Sequence, residues 1–162
     1  MYHTGDLIVY GASGVCRVGE ITQMDGKDYQ LLHPVWQKEI IYMPLFSTKV
    51  YIREVIERDE AARLLDSVCT VDAQPVFENK VQLLSQRYEK IIKSYQCIDL
   101  LYLVVSIYNK KVHAEKNRRK LGLVDERYLK KAEDLLFGEL SVALDMPKDK
   151  VQATIRLAVK KV

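Results

Sequence analysis

Three histidines, three cysteines and a few grouped carboxylates are the side chains of this sequence that could do covalent or acid–base chemistry. Such chemistry needs a base within hydrogen-bond reach of a nucleophile, and a metal needs Cys, His or carboxylate ligands at short spacings. His3, His33 and His113 are far apart in unrelated contexts, and Cys16, Cys69 and Cys97 show neither a CxxC nor a CxxxH spacing. Glu133-Asp134 and Glu139 share one helical stretch with no metal-binding companion, and read as solvated surface. No HExxH, GxSxG, Walker-type glycine loop or dinucleotide fingerprint occurs. The glycines of Gly11-Ala12-Ser13-Gly14 follow one apolar run and lead into another, whereas a phosphate-binding loop leads into a helix. The sequence therefore points away from catalysis, and neither a metal, a cofactor nor a small-molecule substrate is expected.

Binding chemistry is better represented. Residues 1–55 carry five Lys/Arg against six Asp/Glu, a net of −1, while the remainder carries twenty against sixteen, a net of +4. A basic excess confined to one part of a chain suits an anionic partner there, although a solvated helical surface has the same composition. On a helical wheel of about 100° per residue, Arg87, Lys90 and Lys93 fall away from the apolar stripe of their helix, with Leu83 among them. The stretch YNKKVHAEKNRRKLGL adds Lys110, Lys111, Lys116, Arg118, Arg119 and Lys120 against one acid, Glu115. Cations at a helix C-terminus complement its dipole, but six around one loop exceed what capping requires. Backbone phosphates are a fitting ligand. With no aromatic stacking platform and no recognition-helix pattern, DNA binding is expected to be weak and to read shape or backbone rather than bases.

The elements that must position these residues divide in two. Up to about residue 55 short β-type runs alternate with turns: Leu7–Tyr10, Val15–Val18, Tyr29–His33 after the Asp25-Gly26 turn, Ile40–Met43 closed by Pro44, and Val50–Val55. Five short strands in so few residues are most economically closed as a small SH3-like or Tudor-like barrel. The period then becomes helical, with Ala61, Leu64, Leu65 and Val68 on one face and Val71–Pro75 as a loop. From Val76 onward the chain reads as helix. One helix carries Val81, Leu84, Tyr88, Ile91, Ile92 and Tyr95 and ends near Gln96, and a central one runs from Cys97 to about Lys120, capped by Gly122. Asp125 is expected as the N-cap of the next, and a last helix starts at Pro147 with Val151, Ile155 and Val159 inward. The fold class is α+β with two domains: a β-barrel over 1–55 and an all-α bundle of about five helices over 56–162.

With 48% hydrophobic and 29% charged residues the chain can bury a core and stay in solution. An odd number of cysteines in apolar contexts suits reduced thiols. MYHTGD has no signal-peptide character, and the apolar run Ile98–Tyr108 contains Asp99 and is too short to cross a bilayer. A cytoplasmic location without a membrane partner is expected.

The residues also carry a resemblance. GDLIVYGASGVCRVGEI is similar to the start of the N-terminal module of the CarD/CdnL family of bacterial transcription regulators, a module shared with the transcription-repair coupling factor. LSQRYEKIIKS resembles that family's second helix, and KKAEDLLFGELSVAL followed by DMPKDKV resembles the end of its helical domain. The likeness runs in order through essentially all 162 residues, without the coupling factor's helicase motor, so the chain resembles the short stand-alone regulators. The resemblance implies a Tudor-like module docked on a lobe of the RNA polymerase β subunit. It also implies a helical domain touching promoter DNA at the upstream edge of the melted bubble, so that the open complex is stabilised and the protein is nucleoid-associated through polymerase.

Docking in the family is strand-edge pairing. That implies polymerase contacts around Glu39, Ile41, Tyr42, Met43 and Pro44, with Arg17 and Arg53 either outward contacts or merely solvated. With the basic residues read above, the expected DNA-binding set is Leu83, Leu84, Arg87, Lys90, Lys93, Lys110, Lys116, Arg118, Arg119 and Lys120. Two departures matter. Familiar members carry a tryptophan wedge in the second helix, whose matching position is Leu84. Leu84 lies on the apolar stripe and Leu83 is the exposed alternative, while the only tryptophan, Trp36, is in the β-rich part. Some members have an arginine where Tyr42 stands. Two other classes remain open: an RNA- or ribosome-binding protein, and a protein-interaction adaptor.

Overall fold

The computed structural model describes residues 2–46 and 49–160. The chain divides into two compact units, Met1–Ile56 and Glu57–Val162.

The first unit is a five-stranded antiparallel sheet of β1 (Leu7–Tyr10), β2 (Val15–Met24), β3 (Lys27–Pro34), β4 (Ile41–Pro44) and β5 (Ile52–Glu54), in the spatial order β4-β3-β2-β1-β5. β1 and β2 are joined by a single 3-10 turn, Gly11–Ser13, bounded by Gly11 at φ 45° and Gly14 at φ 71°. Both values lie in the left-handed region that side chains disfavour. Asp25 and Gly26, also at positive φ, close the β2–β3 hairpin, as the strand twist requires of a two-residue turn.

Alternation buries Ile8, Tyr10, Cys16, Val18, Leu32 and Met43 in one cluster, against which Tyr2, Ile41 and Ile52 pack. Because both outer strands contribute to this one cluster, the sheet is curled around it. The expected barrel is thus a curled sheet with two edges: among the described residues no pairing joins β4 to β5.

A register shift between Val18 and Ile21 lets β2 bend. The buried Gln30 side chain donates to the Gly19 carbonyl there at 2.6 Å, and Thr4 Oγ1 donates to it at 3.1 Å. A Cβ at Gly19 would lie 2.8 Å from Nε2 of the exposed His33 side chain, which would have to move aside.

The second unit holds α1 (Arg58–Ser67), α2 (Val81–Ile92), α3 (Cys97–Lys116), α4 (Leu123–Leu144) and α5 (Lys148–Lys160). α3 is buried nearly all round over Leu100–Ile107, Tyr102 excepted. It is α4, however, that touches each of the other four helices.

Several sequence expectations shift. Residues 71–80 are irregular, so α2 begins at Val81 rather than Val76, and it ends at Ile92. α3 stops at Lys116 without Gly122: Arg118, at φ 56°, turns the chain, and Arg119 N–H donates to the Ala114 carbonyl at 2.7 Å. Gly122 instead precedes α4 as its N-cap, which places Asp125 inside the first turn and not at the cap. Cys16 and Cys97 are buried and Cys69 is exposed; all three are free thiols. The Cys97 thiol donates to buried Glu139 at 3.2 Å, so that carboxylate is not solvated surface. Among the described residues no helix is long and apolar enough to cross a membrane.

Candidate functional site

In the first unit the backbone directions of β4 follow from its register. Tyr29 faces Pro44, Gln30 faces Met43, Leu31 faces Tyr42 and Leu32 faces Ile41, and the ladder continues with Leu45 N–H donating to the Asp28 carbonyl at 3.3 Å. Antiparallel pairs alternate between those that exchange hydrogen bonds and those that do not. Leu45, Met43 and Ile41 therefore turn their backbone groups toward β3, while Tyr42 and Pro44 turn theirs away. The outer edge of β4 presents the Tyr42 N–H and carbonyl and the Pro44 carbonyl. Proline sits at the one kind of strand position where its missing N–H costs no ladder bond.

Side chains complete the picture. Met43 is buried at 7% exposure and anchors the strand, Ile41 is half-buried, and Tyr42 is 47% exposed with Ile40 beside it at 48%. Glu39 is exposed ahead of the strand. The opposite edge differs. Gly11 N–H donates to the Tyr51 carbonyl, and Val9 pairs with Arg53; the same alternation turns the Ile52 and Glu54 backbones outward. There the Arg53 guanidinium covers the Glu54 carbonyl at 2.9 Å. Among the described residues one edge is capped by its own side chain and the other is open.

In the second unit the exposed face of α2 carries Leu83, Arg87 and Lys90, with Lys93 at its C-cap. The opposite face buries Leu84, Tyr88 and Ile92. Tyr88 donates its hydroxyl to Asp125 Oδ1 at 2.6 Å, and Lys110 Nζ meets the same oxygen at 3.0 Å. Burial, and then this carboxylate, raise the Tyr88 hydroxyl above its ordinary range, so it remains a donor. The tie sets α2 against α4. Tyr128 of α4 stacks obliquely on Tyr88, ring centroids 5.6 Å apart, and carries Arg127 and Lys131 over its ring at 5.1 and 5.0 Å. Lys116, Arg118, Arg119 and Lys120 are exposed around the α3–α4 connection.

Residues 2–56 match the model of the CarD-like/TRCF RID domain. The first unit is thus similar to a CarD-like RID domain, which supports an RNA polymerase-interacting, transcription-related role, and the match ends where the sheet unit ends. No curated protein matches the chain.

Within the first unit, Ile41, Tyr42, Met43 and Pro44 form β4 itself and Glu39 precedes it. Arg17 and Arg53 lie elsewhere. Arg17 is exposed on β2, opposite His33 and reaching the Gly5 carbonyl at 3.4 Å, and Arg53 is half-buried on the far edge. In the second unit, Leu84 belongs to the core and Leu83 to the surface. Lys110, in the expected DNA-binding set, has a side chain only 14% exposed and engaged with Asp125. Sequence reasoning passed over Arg127 and Lys131. Their spacing of four around an aromatic, on a helix already assigned, was the available signal. Among the described residues no group of His, Cys, Asp or Glu could hold a metal ion.

Proposed function

We propose that the protein is a non-enzymatic transcription regulator that docks on the RNA polymerase β subunit through the open β4 edge and contacts promoter DNA through its helical unit. The RID-domain match over residues 2–56 carries this reading, because that domain family is associated with binding this subunit. The unpaired edge of β4 gives a physical mode: an added strand from the partner would take up the Tyr42 N–H and carbonyl, backbone bonds supplying affinity and Ile40 and Tyr42 specificity.

The DNA half rests on the exposed stripe of Leu83, Arg87 and Lys90 with Lys93, and on Lys116, Arg118, Arg119 and Lys120, joined by Arg127 and Lys131. These cations would neutralise a few phosphates, so free DNA binds weakly and the contact depends on tethering by polymerase. Leu83 is the apolar side chain placed to press on a base step. The combined effect would be a longer-lived open complex.

Pull-down of the full chain by the isolated lobe of the β subunit tests docking, and retention is expected. Failure to bind the lobe while binding structured RNA tightly would replace this reading with an RNA-binding one.

A further inference from the structure

Residues 71–80 form no regular element, yet α3 holds their course. Ser106 Oγ donates to the Gln74 carbonyl at 2.7 Å and Asn109 Nδ2 to the Ala73 carbonyl at 2.8 Å. Ser106, Asn109, Lys110 and His113 succeed one another along a single helical stripe. The anchored segment therefore delivers Phe77 farther along that stripe, where its ring meets His113 edge-on with centroids 4.9 Å apart. Lys110 Nζ lies 5.8 Å from the same ring. Phe77 is nevertheless 61% exposed.

A cleft of about 180 Å³ opens beside this ring pair, lined also by Asn117, Arg119 and Lys120. Asp125 lines it too, but its charge is met by Lys110 at 3.0 Å and its oxygen accepts from Tyr88. What remains at the cleft is an exposed aromatic ring, an exposed imidazole and two exposed cations. At this size the cleft is below the roughly 300 Å³ of enclosed small-molecule pockets. A planar base and its phosphate need an aromatic surface with adjacent positive charge and no enclosure.

We propose that Phe77 and His113, with Arg119 and Lys120 beside them, form a site for one unstacked DNA nucleotide, the base against the exposed Phe77 ring and the phosphate against the two cations. This rests on reading the helical unit as a DNA-contacting surface, and adds to its backbone contacts a contact with a base. No local sequence pattern announces this pair, because Phe77 and His113 meet only through the fold.

The test uses the full chain at low salt with two DNA probes: a forked duplex carrying 2-aminopurine in its unpaired arm, and the fully paired duplex. Binding of the fork should quench the 2-aminopurine. Phe77→Ala should abolish the quench and weaken fork binding by roughly tenfold, leaving paired-duplex affinity unchanged, while Phe77→Tyr retains both. Equal losses on fork and duplex, or an unquenched fork, would overturn the site. If the duplex still binds, only this site fails; if neither DNA binds, the DNA half of the proposed function fails with it. Tighter binding and equal quenching with a forked RNA would also overturn it, in favour of RNA.

Discussion

Tyr88 and Asp125, thirty-seven positions apart in sequence, share a buried hydrogen bond of 2.6 Å that joins α2 to the first turn of α4, and Lys110 of α3 reaches the same carboxylate. The orientation of the exposed basic stripe on α2 therefore depends on a polar tie as well as on the apolar contacts of Leu84 and Ile92.

Removing the carboxylate strands a nearly buried cation and a buried hydroxyl together. Asp125→Ala is expected to destabilise the helical unit by about 3–5 kcal/mol, as for a broken buried ion pair. Tyr88→Phe, which leaves Lys110 and Asp125 paired, should cost only about 1 kcal/mol. Urea unfolding followed by far-UV circular dichroism distinguishes them; equal, small losses would contradict the tie.

Leu83 and Leu84 are neighbours with opposite environments, 43% and 5% exposed. Leu84→Ala should cost about 2–5 kcal/mol through the cavity it leaves, and Leu83→Ala should stay within about 0.5 kcal/mol. Open-complex lifetime with polymerase should shorten for Leu83→Ala despite its intact fold. An unchanged lifetime would remove Leu83 from the DNA surface.

Arg118 holds a left-handed backbone at φ 56°, which a side chain disfavours by about 1–2 kcal/mol and glycine does not. Allowing for glycine's freer unfolded chain, Arg118→Gly should raise the thermal midpoint of the helical unit by a stabilisation of roughly 0.5–1 kcal/mol while weakening duplex binding. A gain in stability with no loss of binding would show that this cation does not meet phosphate.

Burial pushes the Cys16 thiol from 9.0 up to about 11. The folded state thus keeps a proton that the unfolded state releases from about pH 9. The stability linked to this group is intact below pH 9 and falls as pH rises from about 9 to 11, by at most about 2–3 kcal/mol. Trp36, the one tryptophan, lies in the same unit, so its fluorescence in urea titrations at pH 8 and 10.5 reads the effect. Cys16→Ala should flatten it. In native protein at pH 8, a thiol reagent should modify exposed Cys69 rapidly and buried Cys16 and Cys97 slowly; uniform rates would contradict the burial.

What could be read from sequence was what depends on near neighbours. The Asp25-Gly26 hairpin, the Gly11–Gly14 turn and the apolar stripe through Leu84 and Tyr88 are set by local backbone preference and period. Asp125 looked like a cap because caps are local, but its partners Tyr88 and Lys110 come from other helices, and only packing brings them together. The pairing that buries the Lys110 side chain lies outside local pattern for the same reason. Arg118 could not be foreseen as the turn of α3, because arginine is a poor residue for that backbone and Gly122 a better one. At the candidate site the order Ile41–Pro44 was legible as a strand, whereas which edge is open required the whole ladder and the Arg53 contact on the far side.

Binding of Tyr42→Pro to the polymerase β-subunit lobe tests the docking claim most directly. The substitution removes an outward N–H from the β4 edge and no bond to β3, and Tyr42→Ala controls for the side chain. Titrating the full chain against the immobilised lobe, with Trp36 fluorescence confirming the fold, should show Tyr42→Pro at least about tenfold weaker than Tyr42→Ala. Equal affinities for the two folded variants would contradict docking by strand addition at β4.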